Sequence, residues 1–207
     1  MDIIPKLATS LNRRDEVPNQ ELAAKIVTRV ETAAISELVD NLSNKSKGIR
    51  NDCIKVLYEV GYIEPMLIAE HAKAFLCLLD SKDNRLQWGA MTALDCIAKV
   101  KQDEIYAVLP KIIDAADKGS VITRDHCVNI LISLAAEPKY AGEAVAQLLK
   151  QLATCPTNQL PMYAERVMPI VNSSNRDKFI QALLSRLDEI SKESGRKRIE
   201  KVIKKVR

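Results

Sequence analysis

Apolar residues return along this chain at the i, i+3, i+4 spacing of one helix face, in stretches separated by short polar runs. Four stretches share a register: Leu38, Val39 and Leu42; Phe75, Leu76 and Leu79; Ile112, Ile113 and Ala116; and Leu149, Leu152 and Ala153. After a polar interval at residues 43–48, 80–84, 117–120 or 154–158, each is followed by a second periodic stretch. Ile49-Arg50-Asn51-Asp52-Cys53-Ile54-Lys55-Val56-Leu57 lies over Leu86-Gln87-Trp88-Gly89-Ala90-Met91-Thr92-Ala93-Leu94, and then over Thr123-Arg124-Asp125-His126-Cys127-Val128-Asn129-Ile130-Leu131, at offsets of 37 and 37. A weaker copy, Leu160-Pro161-Met162-Tyr163-Ala164-Glu165-Arg166-Val167-Met168, keeps a small residue at Ala164 and apolar ones at Val167 and Met168. The pattern predicts a unit of helix, tight turn, helix, repeated four times over residues 31–171.

The punctuation fits. Asp83 or Asn84, Ser120 and Asn158 stand where a side-chain oxygen accepts the free amide hydrogens that open a helix, and Asn84 with Gln87 has capping-box spacing. Pro161 falls in a first turn, where its missing amide hydrogen costs little. A single unit of this size cannot bury the apolar faces of both its helices, so adjacent units must stack on one another.

These residues resemble the HEAT repeat family, above all in the run from Leu78 to Leu94: Leu and Asp close the first helix, and the second carries the small and apolar positions Ala90 and Ala93-Leu94. Ile49-Arg50 and Thr123-Arg124 occupy the family's Val-Arg position, whereas Leu86-Gln87 and Leu160-Pro161 depart from it, leaving an Asp-to-Arg ladder incomplete. The resemblance implies an all-α, right-handed α-α superhelix whose second helices line a concave side, and a scaffold more often than an enzyme.

The flanks break the period. In residues 1–30, Ile3, Ile4, Leu7 and Leu11, then Pro18 with Leu22, Ile26 and Val27, predict two helices forming an amino-terminal cap. In residues 172–207, Ser174 and Asp177 precede Phe179, Ile180, Leu183, Leu184, Leu187 and Ile190, one further amphipathic helix, and a basic tail follows.

Composition narrows the class. Six Gly, eight Pro, one Trp, five Tyr and two Phe leave little for turns and strands, while 47% apolar residues suffice for a core, so all-β and disordered chains are excluded. The longest apolar tract, about nine residues near Val128, falls well short of the ~20 a bilayer crossing needs. Asp2 beside the first Met and the early Arg13-Arg14 are unlike a secretory signal, so a cytoplasmic protein is expected. Five cysteines with no Cys-x-x-Cys and two histidines offer no zinc ligand set; most of the thiols read as small core residues in a reducing compartment, and neither metal nor cofactor is expected.

On a helical wheel of the second unit's second helix, Leu86, Ala90, Ala93, Leu94 and Ile97 form the buried stripe, with Trp88, Thr92, Asp95 and Lys99 opposite. The equivalent columns Asn51, Lys55 and Tyr58, then Trp88, Thr92 and Asp95, then Asp125 and Asn129, form the candidate binding surface for a protein or peptide partner. Trp88 is its anchor, unless it packs as a filler against a neighbouring helix. His126 beside Cys127 is not a catalytic pair, because consecutive helical residues point about 100° apart. Gly-rich phosphate loops, nucleophile elbows and His-Glu-x-x-His are absent from the sequence.

A rival reading is nucleic-acid binding, or base excision of the kind found in HEAT-like DNA glycosylases, which resemble this class in fold; Trp88 with Asp95 or Asp125 would serve it. Charge argues against it. Lys192, Arg196, Lys197, Arg198, Lys201, Lys204, Lys205 and Arg207 give residues 192–207 a net +6 against Glu193 and Glu200, so the overall +4 leaves the other 191 residues at −2. The tail places Ile199, Val202, Ile203 and Val206 on one face. It is either a cap for the last unit or a binding element for nucleic acid or another acidic surface.

Overall fold

The computed structural model describes residues 2–207, and every regular element among them is helical. The elements are α1 (Val17–Arg29), α2 (Thr32–Asp40), α3 (Lys47–Ile63), α4 (Met66–Ala69), α5 (Ala72–Leu78), α6 (Asn84–Ile97), α7 (Gln102–Ala107), α8 (Leu109–Lys118), α9 (Val121–Ala135), α10 (Pro138–Thr154), α11 (Leu160–Val167), α12 (Arg176–Leu184) and α13 (Glu193–Val206). They fall into two compact units, residues 1–127 and 128–207, with the boundary inside α9.

The period is visible in the helix starts. Lys47, Asn84 and Val121 open α3, α6 and α9 at the expected interval of 37. Each helix has an oxygen cap at its own threshold: the Ser46 hydroxyl accepts from the Ile49 amide (3.5 Å), Asp83 Oδ1 from Arg85 (3.0 Å) and the Ser120 hydroxyl from Thr123 (3.2 Å). One turn in, the next polar side chain returns to the preceding turn: Arg50 donates to the Asn44 carbonyl (2.7 Å), Gln87 Nε2 to the Leu79 carbonyl (2.9 Å), and Arg124 pairs with Asp117 (3.8 Å). Gln87 thus closes its turn in place of the expected capping box, because the cap is Asp83 and not Asn84. Arg50 also reaches Asp83 (3.9 Å), a single rung of the incomplete ladder.

Two helices per unit is too coarse. The stretch before each long helix is broken in two, giving α4 then α5 before α6, and α7 then α8 before α9. The breaks fall at Glu70-His71 and at Val108, which leaves helical geometry (φ −110°) just ahead of Pro110. α1 and α2 precede α3 in the same way.

In the first unit α3 is the central helix, packed on α1, α2 and α6, and α5 packs on α6. Cys53, Ile54, Val56, Leu57 and Val60 of α3 and the stripe Leu86, Ala90, Ala93, Leu94 and Ile97 of α6 are all buried. Gly89 allows the close approach of these helices, since a Cβ there would stand 2.7 Å from Ile54 Cγ1.

The first predicted amino-terminal helix does not form. Residues Ile4–Lys6 make one 3-10 turn, and Asn12 takes a left-handed conformation (φ 54°). This segment is bound instead through polar contacts: Asp52 accepts from the Thr9 amide (2.7 Å) and Asn19 Nδ2 (2.8 Å), Asn19 Oδ1 accepts from Ala8 (3.0 Å), and Glu37 from Ile3 (2.9 Å).

In the second unit α10 packs on α11 and α12, and α13 packs on α11 and α12. α11 starts at Leu160 with Gln159 as its N-terminal flank, so Asn158 is not its cap; Pro161 lies in its first turn, as expected. The predicted helix reaching Ile190 stops at Leu184. Arg186 turns inward there, donating to the Leu152 (2.9 Å) and Cys155 (2.8 Å) carbonyls at the end of α10 and pairing with Glu189 (2.7 Å).

Candidate functional site

The anchor of the sequence reading lies on the α3–α6 face of the first unit. Trp88 is half-buried, its ring 5.8 Å from that of Tyr58; Tyr58 in turn meets Tyr62 edge-on at 5.9 Å. The Arg85 guanidinium lies over the indole at 5.5 Å, and Lys55 Nζ over the Tyr58 ring at 4.9 Å. A guanidinium, an indole and two phenols therefore follow one another along the face, with Tyr62 56% exposed at one end.

Its charges are knitted together. Lys55 Nζ sits between Glu16 (2.7 Å) and Glu59 (2.6 Å), and Glu16 is shared with Arg85. Burial pulls the Lys55 ammonium down, but its hydrogen bonds to the two carboxylates outweigh burial and hold it above the usual lysine range. The bond from Lys55 holds the Glu16 carboxyl below its ordinary value. Burial pushes both phenols, Tyr58 and Tyr62, up.

The predicted residues are placed unevenly. Asn51 is half-buried on α3, and its Oδ1 has no hydrogen-bond partner among the described residues. Lys55 and Tyr58 are buried, the Lys55 side chain only 6% exposed, so neither is the open surface expected of it. Thr92 is also misplaced: it is 1% exposed and its hydroxyl donates to the Trp88 carbonyl of its own helix (2.8 Å), which turns it inward. Asp95 is paired with His126 Nδ1 (2.8 Å), and Asp125 is half-buried beside them on α9. Cys127 is fully buried, and burial lifts its thiol to about 12. In the second unit Asn129 accepts from Arg166 (3.3 Å), 37 positions on.

Sequence reasoning missed Glu16, Tyr62 and Arg85. Arg85 was legible as the residue one turn before Trp88 on the wheel; Glu16 was not, since nothing local ties a loop carboxylate to helices it meets only in three dimensions.

The basic tail is divided by its own amphipathicity. Ile199, Val202 and Ile203 of α13 are buried, and Arg198 grips Glu165 of α11 through two bonds (2.8 and 2.6 Å). Arg196 donates to the Ile190 carbonyl (2.6 Å) and Lys197 pairs with Glu193 (2.6 Å), while Lys201, Lys204 and Lys205 are exposed.

No family model and no curated protein matches the sequence. Solved structures do. A computationally designed armadillo repeat protein for modular peptide recognition aligns with a TM-score of 0.65 at 16% identity, covering 97% of this chain and 98% of that one. A designed armadillo repeat protein in complex with the peptide (KR)4 gives 0.65 at 16%, covering 99% of each. A further designed armadillo repeat protein gives 0.63 at 17%, covering 99% and 100%. The fold is that of an all-α helical repeat protein of the HEAT/armadillo type, in keeping with the three-part pattern α4–α5–α6. Among the described residues no helix is long and apolar enough to cross a membrane.

Proposed function

We propose that this protein is a non-enzymatic interaction scaffold that holds an extended peptide, or an exposed segment of a protein partner, on the α3–α6 face, the side that the HEAT resemblance makes concave. The observation that carries the reading is the ledge of Arg85, Trp88 and Tyr62, with the buried Tyr58 ring packed between the two aromatic rings and backing them. It joins a guanidinium and aromatic rings, the side-chain types that dominate binding energy at interfaces. Asn51 adds a carbonyl oxygen with no described partner. Peptides are also what two of the structural neighbours are described as recognising or holding.

The nucleic-acid alternative draws no comparable support. Lys55 and Arg85, the cations beside Trp88, are both held by carboxylates, and clustered free positive charge is what phosphate backbones require.

Selection from a random peptide display library on the immobilised protein tests the proposal. Selected peptides should lose about tenfold or more in affinity for Trp88→Ala, the cost of truncating an interface anchor. Peptides that bind Trp88→Ala as well as the parent would remove the α3–α6 face from the function.

A further inference from the structure

Glu16 stands apart from the other carboxylates of this face because it belongs to neither helix. It closes the exposed segment 9–15 just ahead of α1, is itself 42% exposed, and yet bonds to cations on two different helices, Lys55 of α3 and Arg85 of α6. Those cations depend on it unequally. Lys55 keeps a second carboxylate, Glu59, one turn along its own helix. For Arg85, Glu16 is the one carboxylate partner among the described residues, and Arg85 Nε is buried with no hydrogen-bond partner there. The segment is anchored on either side, at Thr9 and at Asn19, both bonded to Asp52, and apart from those of Glu16 the ion pair between these anchors is the local one of Arg13 with Asp15 (2.8 Å). Glu16 can therefore leave without detaching the amino-terminal segment from α3.

From this arrangement we infer that Arg85 is an acidic-residue subsite, that Glu16 occupies it as a built-in plug, and that the partner is a peptide segment whose Asp or Glu displaces Glu16. The inference rests on the reading of the α3–α6 face as a peptide surface and gives that peptide its charge. The incoming carboxylate takes the guanidinium fork, and the side chains beside it lie along Trp88 and Tyr62. A plug tethered in the same chain competes at high effective concentration, so it lowers the apparent affinity by the fraction of time the subsite is closed.

Trp88 is the only tryptophan in the sequence, so its emission reports on the subsite directly. The experiment titrates it with short alternating Glu-Ala, Gln-Ala and Lys-Ala peptides in the parent, Glu16→Gln and Glu16→Gln/Arg85→Gln proteins, with far-ultraviolet circular dichroism recording that each is helical. The Glu-Ala peptide should bind Glu16→Gln about tenfold tighter than the parent, as expected for a subsite closed about nine-tenths of the time, and lose that gain in the double variant. If the double variant does not fold, the salt dependence of Glu-Ala binding to Glu16→Gln decides: weakening by added salt supports the ion pair and indifference overturns it. Equal binding to parent and Glu16→Gln, or silence of the emission, overturns the plug. Binding of the Lys-Ala or Gln-Ala peptide as tight as that of Glu-Ala overturns the acidic subsite yet leaves the peptide surface standing, which falls only with the Trp88→Ala comparison on selected peptides.

Discussion

Val30 closes α1 in the left-handed region (φ 52°, ψ 47°), a conformation that a β-branched side chain resists, and it is 63% exposed with no packing to repay the strain. Val30→Gly should raise the stability by about 1 kcal/mol in a urea melt. Asp52 is the opposite case. Buried beneath Thr9 and Asn19, it holds both by hydrogen bonds, and Asp52→Ala strands those donors, with an expected loss of about 2–3 kcal/mol by the same measurement. The wheel that placed Trp88 outward also placed Thr92 there; the hydroxyl's bond to its own backbone gave Thr92 an inward alternative that periodicity does not encode.

Among the elements, α3 and α6 are bound by shape. Gly89→Ala drives a methyl to 2.7 Å from Ile54 Cγ1, and overpacking of this kind costs about 1–3 kcal/mol. Ile54→Ala removes the obstructing atom, so the double variant should be more stable than the sum of the two single losses predicts, a coupling read from a double-mutant cycle. α13 is held on α11 by Ile199, Val202 and Ile203 and by the Arg198–Glu165 fork. A chain ending at Lys192 should therefore melt at a lower temperature in calorimetry. The long helices α3, α6 and α9 were legible in the sequence because an apolar stripe and a cap recur every 37 residues. The breaks at Glu70-His71 and Val108 were not: an apolar register survives a kink, and Pro110 alone hinted at one. The helix ending at Leu184 was overrun because Leu187 and Ile190 continue the apolar spacing, while the reason for stopping, the Arg186 guanidinium, is a contact with carbonyls more than thirty residues away.

For the molecule as a whole, thiol accessibility measures how far the interior is closed. Cys53, Cys127 and Cys155 are buried, Cys96 is half-buried and Cys77 is exposed. Burial lifts the Cys53 and Cys127 thiols to about 12 and raises that of Cys96. Alkylation of the native protein at neutral pH, followed by mass spectrometry, should label Cys77 first, and denaturant should release the other four sites.

Acid acts on the amino-terminal side. Glu16 has its carboxyl held below the ordinary 4.5, so its contribution to stability is complete above that pH and is lost as the pH falls through the lowered value. The stability difference between the parent and Glu16→Gln should accordingly be constant at neutrality and vanish in acid, as followed by urea melts across pH. The repeat architecture was readable from spacing alone; of the site, Trp88, Tyr58, Lys55 and Asn51 were readable as equivalent columns of the repeat, whereas Glu16 was not, because it reaches the face from the approach to α1 and meets α3 and α6 only in the folded chain.

The fork by which Arg186 closes the end of α10 joins residues far apart in the order of synthesis. As the chain emerges from a ribosome, the last carbonyls of α10 wait on water until some thirty further residues have been made. The final turn of that helix must consequently be among the last parts of the nascent protein to become rigid, and a stalled chain lacking Arg186 would present it frayed to chaperones and proteases.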